Sequence, residues 1–172
     1  MFTLKSSALA LACAAPAPLF AQPRFKMTDL GTIPGTSSSW AVGIHELGEV
    51  AGFSGAGPEA FLFWSATPSF GRFATFAFRG FVRDRNGNFA LFDGFPSSIN
   101  GVGDVTGDFA DASQNNKARG FVRDRNGNIA VFDAPNASQT EGLSINAASD
   151  VTGDFVETNK PEIFRSFLRA PR

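Results

Sequence analysis

The sequence predicts an all-β repeat fold: four short antiparallel strands per unit, assembled β-propeller-like as a partial or small ring, with another kind of β-repeat stack as the runner-up. Three observations carry this. The residues 79–88, RGFVRDRNGN, recur letter for letter at 119–128, 40 positions downstream. A second string, Ser98 to Phe109, returns in diverged form from Ser144 to Phe155, 46 positions later, and a third copy runs from Gly43 to Gly52. No stretch between the turn residues carries the 3.6-residue apolar period of a helix. A period of this size is that of one propeller blade, and a lone four-stranded sheet cannot bury its apolar face without stacking on its copies.

Taken in chain order, the first 21 residues read as a secretory signal peptide. Met1 to Lys5 carries one positive charge, Ser6 to Ala15 is small and apolar, and Ala21 offers a cleavage point before Gln22. The apolar part is shorter than the ~20 residues that span a bilayer, and Pro16 and Pro18 interrupt it, so no membrane span is expected. Lipid anchoring at Cys13 is the less favoured alternative to simple secretion. Cys13 is the only cysteine, so cleavage near Ala21 leaves no disulfide and no thiol chemistry. Residues 22–172 then form a single β-repeat domain, with units at about 26–64, 79–118 and 119–169 and a degenerate stretch at 65–78. The expected location is extracellular or periplasmic.

Within each unit, Phe81 to Phe92 and Phe121 to Phe132 place two apolar-rich segments around Asn86-Gly87 and Asn126-Gly127, a strong hairpin signal. Two turns compete. One is a two-residue loop with Asn and Gly both at positive φ; the other is a type I turn opened by Asp84, with Gly87 left-handed in a bulge. The glycines Gly52, Gly107 and Gly153 are read as further turn residues. Phe61 to Trp64 and Arg72 to Phe76 match the two hairpin strands, yet Arg79 starts the next hairpin directly, so half a unit is missing. The segment from Phe25 to Asp29 and the segment from Phe164 to Arg169 read as complementary halves of one hairpin, and their pairing would close the ring. A homo-oligomer that completes the ring is the alternative.

Asp29 to Gly35, Ala41 to Ile44, Gly48 to Gly52 and Ala60 to Trp64 resemble the HAF repeat family of extracellular bacterial repeats, named for a His-Ala-Phe step before a Leu-Trp strand. The match is good from Thr28 to Trp64 and looser in the later copies. The family His is Glu59, Arg79, Arg119 and Arg165 in this chain. The resemblance implies a secreted, propeller-like β protein and carries no assigned activity or catalytic residue.

Composition narrows the chemistry. A net charge of −1 argues against nucleic acid, and with Phe 20 against Tyr 0 the rings are mainly apolar filling. His45 is the only histidine, so a triad or a histidine metal site would have to run through it. It occupies, however, the turn slot filled by Asn100 and Asn146 in the other copies. The recurring pairs Asp104 with Asp108 and Asp150 with Asp154, and the Asp84 to Asn88 loop, loosely resemble calcium ligands, but Asp at turn starts is the plainer reading. Arg83, Arg85, Arg123 and Arg125 alternate along their segments and so share a sheet face; a solvated blade edge with cross-strand ion pairs is the plainer reading, and a ligand-facing basic stripe suited to an anionic sugar or phosphate is the alternative. No catalytic, cofactor-binding or metal residues are expected. The function so predicted is a secreted or cell-surface, non-catalytic module binding an extracellular glycan, protein or surface polymer. The alternatives are a propeller-scaffold hydrolase or lyase, and a structural spacer or truncated remnant without a ligand.

Overall fold

A computed structural model describes residues 26–56 and 78–171. The segment expected to be a signal peptide, with Cys13, and Phe61 to Trp64 and Arg72 to Phe76 lie outside the described residues. The described chain is all-β: eleven strands in three antiparallel sheets, with one short 3-10 turn at Ala112–Gln114. The first sheet runs in order through β1 (Ser38–Ile44), β2 (Val50–Gly55), β3 (Phe78–Arg83) and β4 (Phe89–Phe92). The second runs through β5 (Phe95–Ile99), β6 (Val105–Asp111), β7 (Lys117–Arg123) and β8 (Ile129–Phe132). The third has β9 (Ala137–Ile145), β10 (Val151–Glu157) and β11 (Lys160–Arg169). No helix of the described residues is long and apolar enough to cross a membrane.

The copies in sequence are copies in register. Gly52 pairs with Phe81, Gly107 with Phe121 and Gly153 with Phe167. The expectation that these three glycines form turns is corrected: they lie inside β2, β6 and β10. The reason is a bulge at one position of each neighbouring strand, where Val42, Ser97 and Leu143 are the extra residues. The bulge drives the carbonyl oxygens of Trp40, Phe95 and Glu141 to where a Cβ on the facing glycine would sit, so only glycine fits.

Sheet boundaries fall half a unit away from the sequence units. Each complete sheet begins with the Ile-to-Val pair of strands and ends with the decapeptide hairpin, and the chain crosses between the first two sheets at Asp93-Gly94. In the first sheet β2 pairs directly with β3, across the undescribed stretch.

Successive sheets stack in the same way. β5 packs on β1, β2 and β3, and β9 on β5, β6 and β7. Phe92 of the first sheet meets Phe121 of the second with ring centroids 5.7 Å apart, and Phe132 of the second meets Phe167 of the third at the same 5.7 Å. Ala51, Val82, Phe92, Val105 and Phe121 form the core between the first two sheets. Each fully buried ring of this kind stabilises the fold by about 1.5–3 kcal/mol.

Among the described residues the sheets do not close into a ring. The expected pairing of the two chain ends is not formed: β11 pairs only with β10, and residues 26–30 carry no strand. That segment's polar groups are engaged elsewhere. Gly31 N–H donates to Asp29 Oδ1 (2.9 Å), Leu30 O accepts from Arg83 Nε (3.1 Å), and Gly31 O accepts from Ser39 Oγ (2.9 Å).

Candidate ligand-binding groove

In each sheet the turns after the first and third strands lie at one end, because the strands alternate in direction. The hairpin turn takes the second of its two sequence-level forms. Gly87 N–H donates to Asp84 O (3.2 Å), and Gly87 has φ +92°, whereas Asn86 does not have positive φ. Both Asp84 carboxyl oxygens accept from Asn88, one from the backbone N–H and one from Nδ2, each at 2.8 Å. The Asn88 side chain first, and then its backbone N–H, hold this carboxyl below the usual carboxylate range. The second copy repeats the arrangement through Asp124, Gly127 (φ +95°) and Asn128.

The other turns are equally repetitive. Asn100 Oδ1 accepts from Val102 and Asp104 N–H (3.1 and 2.9 Å), and Asn146 Oδ1 accepts from Ala148 and Asp150 N–H (both 2.9 Å). His45 stands in the same slot and does the same work: its Nδ1 accepts from Leu47 N–H at 2.9 Å. With Nδ1 an acceptor, the neutral ring donates through Nε2, and Glu49 Oε2 lies there at 2.7 Å. Both ring nitrogens are engaged, and the residue is buried.

These turns touch one another. Asn100 Nδ2 donates to Asn146 O (2.9 Å), Ser149 Oγ to Asp104 Oδ2 (2.6 Å), and Arg125 N–H to Asp104 Oδ1 (3.3 Å). Between the turns of the first two sheets lies an open groove of about 490 Å³. Its polar lining includes His45, Glu49, Asp84, Asn88, Arg123 and Arg125. Its apolar lining includes Leu47 and Val102, which are 65% and 50% exposed.

The four arginines expected to share a sheet face are therefore divided. β3 and β7 end at Arg83 and Arg123, and the type I turn carries Arg85 and Arg125 off the strands, so no strand face presents both members of a pair. Arg83 stacks 5.8 Å above the Phe89 ring and Arg85 reaches Glu46 O at 3.4 Å, whereas Arg123 and Arg125 line the groove. Leu47 and Val102 gave no sequence signal, because only the juxtaposition of two sheets makes them neighbours.

A second polar cluster sits between the second and third sheets. Burial pushes the Asp108 carboxyl up to about 7. Burial, and then repulsion from Asp108 and Asp154, push Glu141 up to about 8. The adjoining cavity, lined by Glu141 and Asp154, is only about 10 Å³. Among the described residues no group of three or more His, Cys, Asp or Glu is arranged to hold a metal ion.

Comparison of the chain with protein-family models, with curated proteins and with solved structures returns no match.

Proposed function

We propose that this chain is a secreted or cell-surface, non-catalytic repeat module of propeller-like build, which binds a glycan, a protein or a surface polymer through the turn face. The observation that carries the reading is the commitment of the only histidine. His45 Nδ1 and Nε2 are both occupied by turn hydrogen bonds, so the ring has no free nitrogen to act as a general base, while the groove beside it keeps polar and apolar surface. The signal-like leader and the HAF-like strings support the location and the build.

Labelled full chain on a glycan array, with immobilised surface polymers and matrix proteins alongside, tests the reading. Retention of at least one of these ligand classes is expected, and loss of retention on altering groove residues. Binding to none of them would overturn it.

One observation favours a hydrolase instead: a carboxyl raised to about 8 at Glu141 has the protonation a general acid needs at neutral pH. The 10 Å³ cavity beside it has no room for a sugar ring. Polysaccharide turnover by the chain, abolished by Glu141→Gln, would establish that second reading.

A further inference from the structure

Two copies of one hairpin carry the same arginines, yet only one copy has spent them. In the first copy Arg83 Nε donates to the Leu30 carbonyl at 3.1 Å and Nη1 to Asp84 O at 3.3 Å, while the Arg85 side chain donates to Glu46 O. In the second copy Arg123 Nε has no such carbonyl acceptor among the described residues. Arg123 is only 8% exposed, donates Nη1 to Asp124 O at 3.2 Å and lies 5.3 Å from the centroid of the Phe92 ring. Among the described residues no carboxylate pairs with it, and its Nε and Nη2 find no acceptor. Among the described residues Arg125 is bonded through its backbone N–H alone, and the residue is exposed.

A guanidinium carries five N–H donors and keeps its charge; no buried side-chain polar atom lacks a partner among the described residues, so Nε and Nη2 of Arg123 are reached by solvent and can exchange water for the acceptor of a ligand. Arg123 lines two cavities, one of about 800 Å³ shared with Phe92 and Gly127 and the turn groove of about 490 Å³, and the turn groove is the one it shares with Arg125. The rest of the turn groove's lining narrows what that acceptor belongs to. Glu49 and Asp84 supply negative charge that offsets the two arginines, which favours a singly charged group over a dianion such as a phosphate monoester. Their oxygens, with the Asn88 amide, are suited to hydroxyl groups, and exposed Leu47 and Val102 to the C–H face of a ring.

We propose that Arg123, assisted by Arg125, binds the carboxylate of an acidic sugar in this groove, with the carboxylate facing the unspent Nε and Nη2 of Arg123. The proposal rests on the binding-module reading above and names the ligand class for it.

Calorimetric titration of the full chain with an oligogalacturonate, with its methyl-esterified form and with an oligoglutamate peptide separates the outcomes. The acidic oligosaccharide is expected to bind, and esterification to weaken it at least tenfold. Arg123→Gln should do the same. Arg123→Lys, which keeps the charge and the packing stem but loses the planar fork, should still fold and weaken binding about tenfold. Arg83→Gln and Arg85→Gln should leave affinity unchanged, and raised salt should weaken it. Equal binding of the methyl ester, or equal loss in the Arg83 and Arg123 variants, overturns the carboxylate site while leaving the binding-module reading intact. Equal or tighter binding of oligoglutamate overturns the assignment to a sugar. If no acidic ligand binds while neutral glycans or proteins do, the proposal alone fails; if nothing binds at all, both readings fall.

Discussion

The same cross-strand slot is filled in opposite ways at the two ends of the molecule. In the first sheet Trp40 lies opposite Phe53, and their rings stack at 5.2 Å. In the third sheet the equivalent positions hold Glu141 opposite Asp154, and in the second sheet Phe95 opposite Asp108. The backbone around the slot is unchanged, with the same bulge, the same facing glycine and the same pairing to the next strand. What is copied is therefore the hydrogen-bonded frame. An apolar pair gains from burial and stacking, whereas two carboxyls brought together by the same frame repel unless one holds a proton.

If the frame is the shared element, breaking it should cost the same at either end. Gly52→Ala and Gly153→Ala each put a methyl group onto a backbone carbonyl, of Trp40 and of Glu141, which cannot move without undoing the bulge. Each substitution should destabilise by about 4 kcal/mol or more, read as loss of the cooperative transition in chemical denaturation. A small effect at either site would mean that the bulges are not equivalent.

Emptying the slot, by contrast, should separate the ends. Trp40→Ala removes the ring stacked on Phe53, which also contacts Phe78 edge-on at 6.2 Å, and should cost about 2–4 kcal/mol. Glu141→Ala at neutral pH should cost much less, because it also relieves repulsion. Equal losses in the two variants would show that packing alone governs the slot.

This contrast marks what was legible in the sequence. The strand pairs, the left-handed Gly87 and Gly127, and the turn role of His45 follow from local chemistry repeated in register, and local chemistry is what a single sequence displays. In the sequence Gly52, Gly107 and Gly153 read as turn residues, because a glycine amid short strands signals a turn as well as a bulge, and the bulge that demands them lies in the neighbouring strand. Arg85 and Arg125 left the strand face because Asp84 and Asp124 open the turn one residue earlier than a two-residue loop would. The groove could not be read at all. It depends on which turn of one sheet meets which turn of the next, and the identical decapeptides give no hint that only Arg83 meets Leu30.

The acidic end of the comparison also predicts an unusual pH profile. Glu141 and Asp108 have folded values raised to about 8 and about 7, against ordinary values near 4 in the unfolded chain. Below about pH 4 both states hold these protons, and the two groups cost the fold nothing. Between about 4 and 8 the unfolded chain releases protons that the folded chain retains, so their contribution to stability is lost as pH rises. Asp84, Asp111, Asp124 and Glu157, lowered by their hydrogen-bond partners, act in the opposite sense and weaken the fold as pH falls below the ordinary carboxylate range. The melting temperature should therefore peak in mildly acidic buffer, near pH 5, and decline towards pH 8. Glu141→Gln should raise it by a few degrees at pH 8, with no gain at pH 4, and flatten the decline. Trp40→Phe, at the other end, should leave the shape of the profile untouched, since that slot holds no proton to lose. A flat profile between pH 5 and 8 in the unmodified chain would mean that water reaches the carboxyl pair, and that the two ends differ in packing but not in electrostatics.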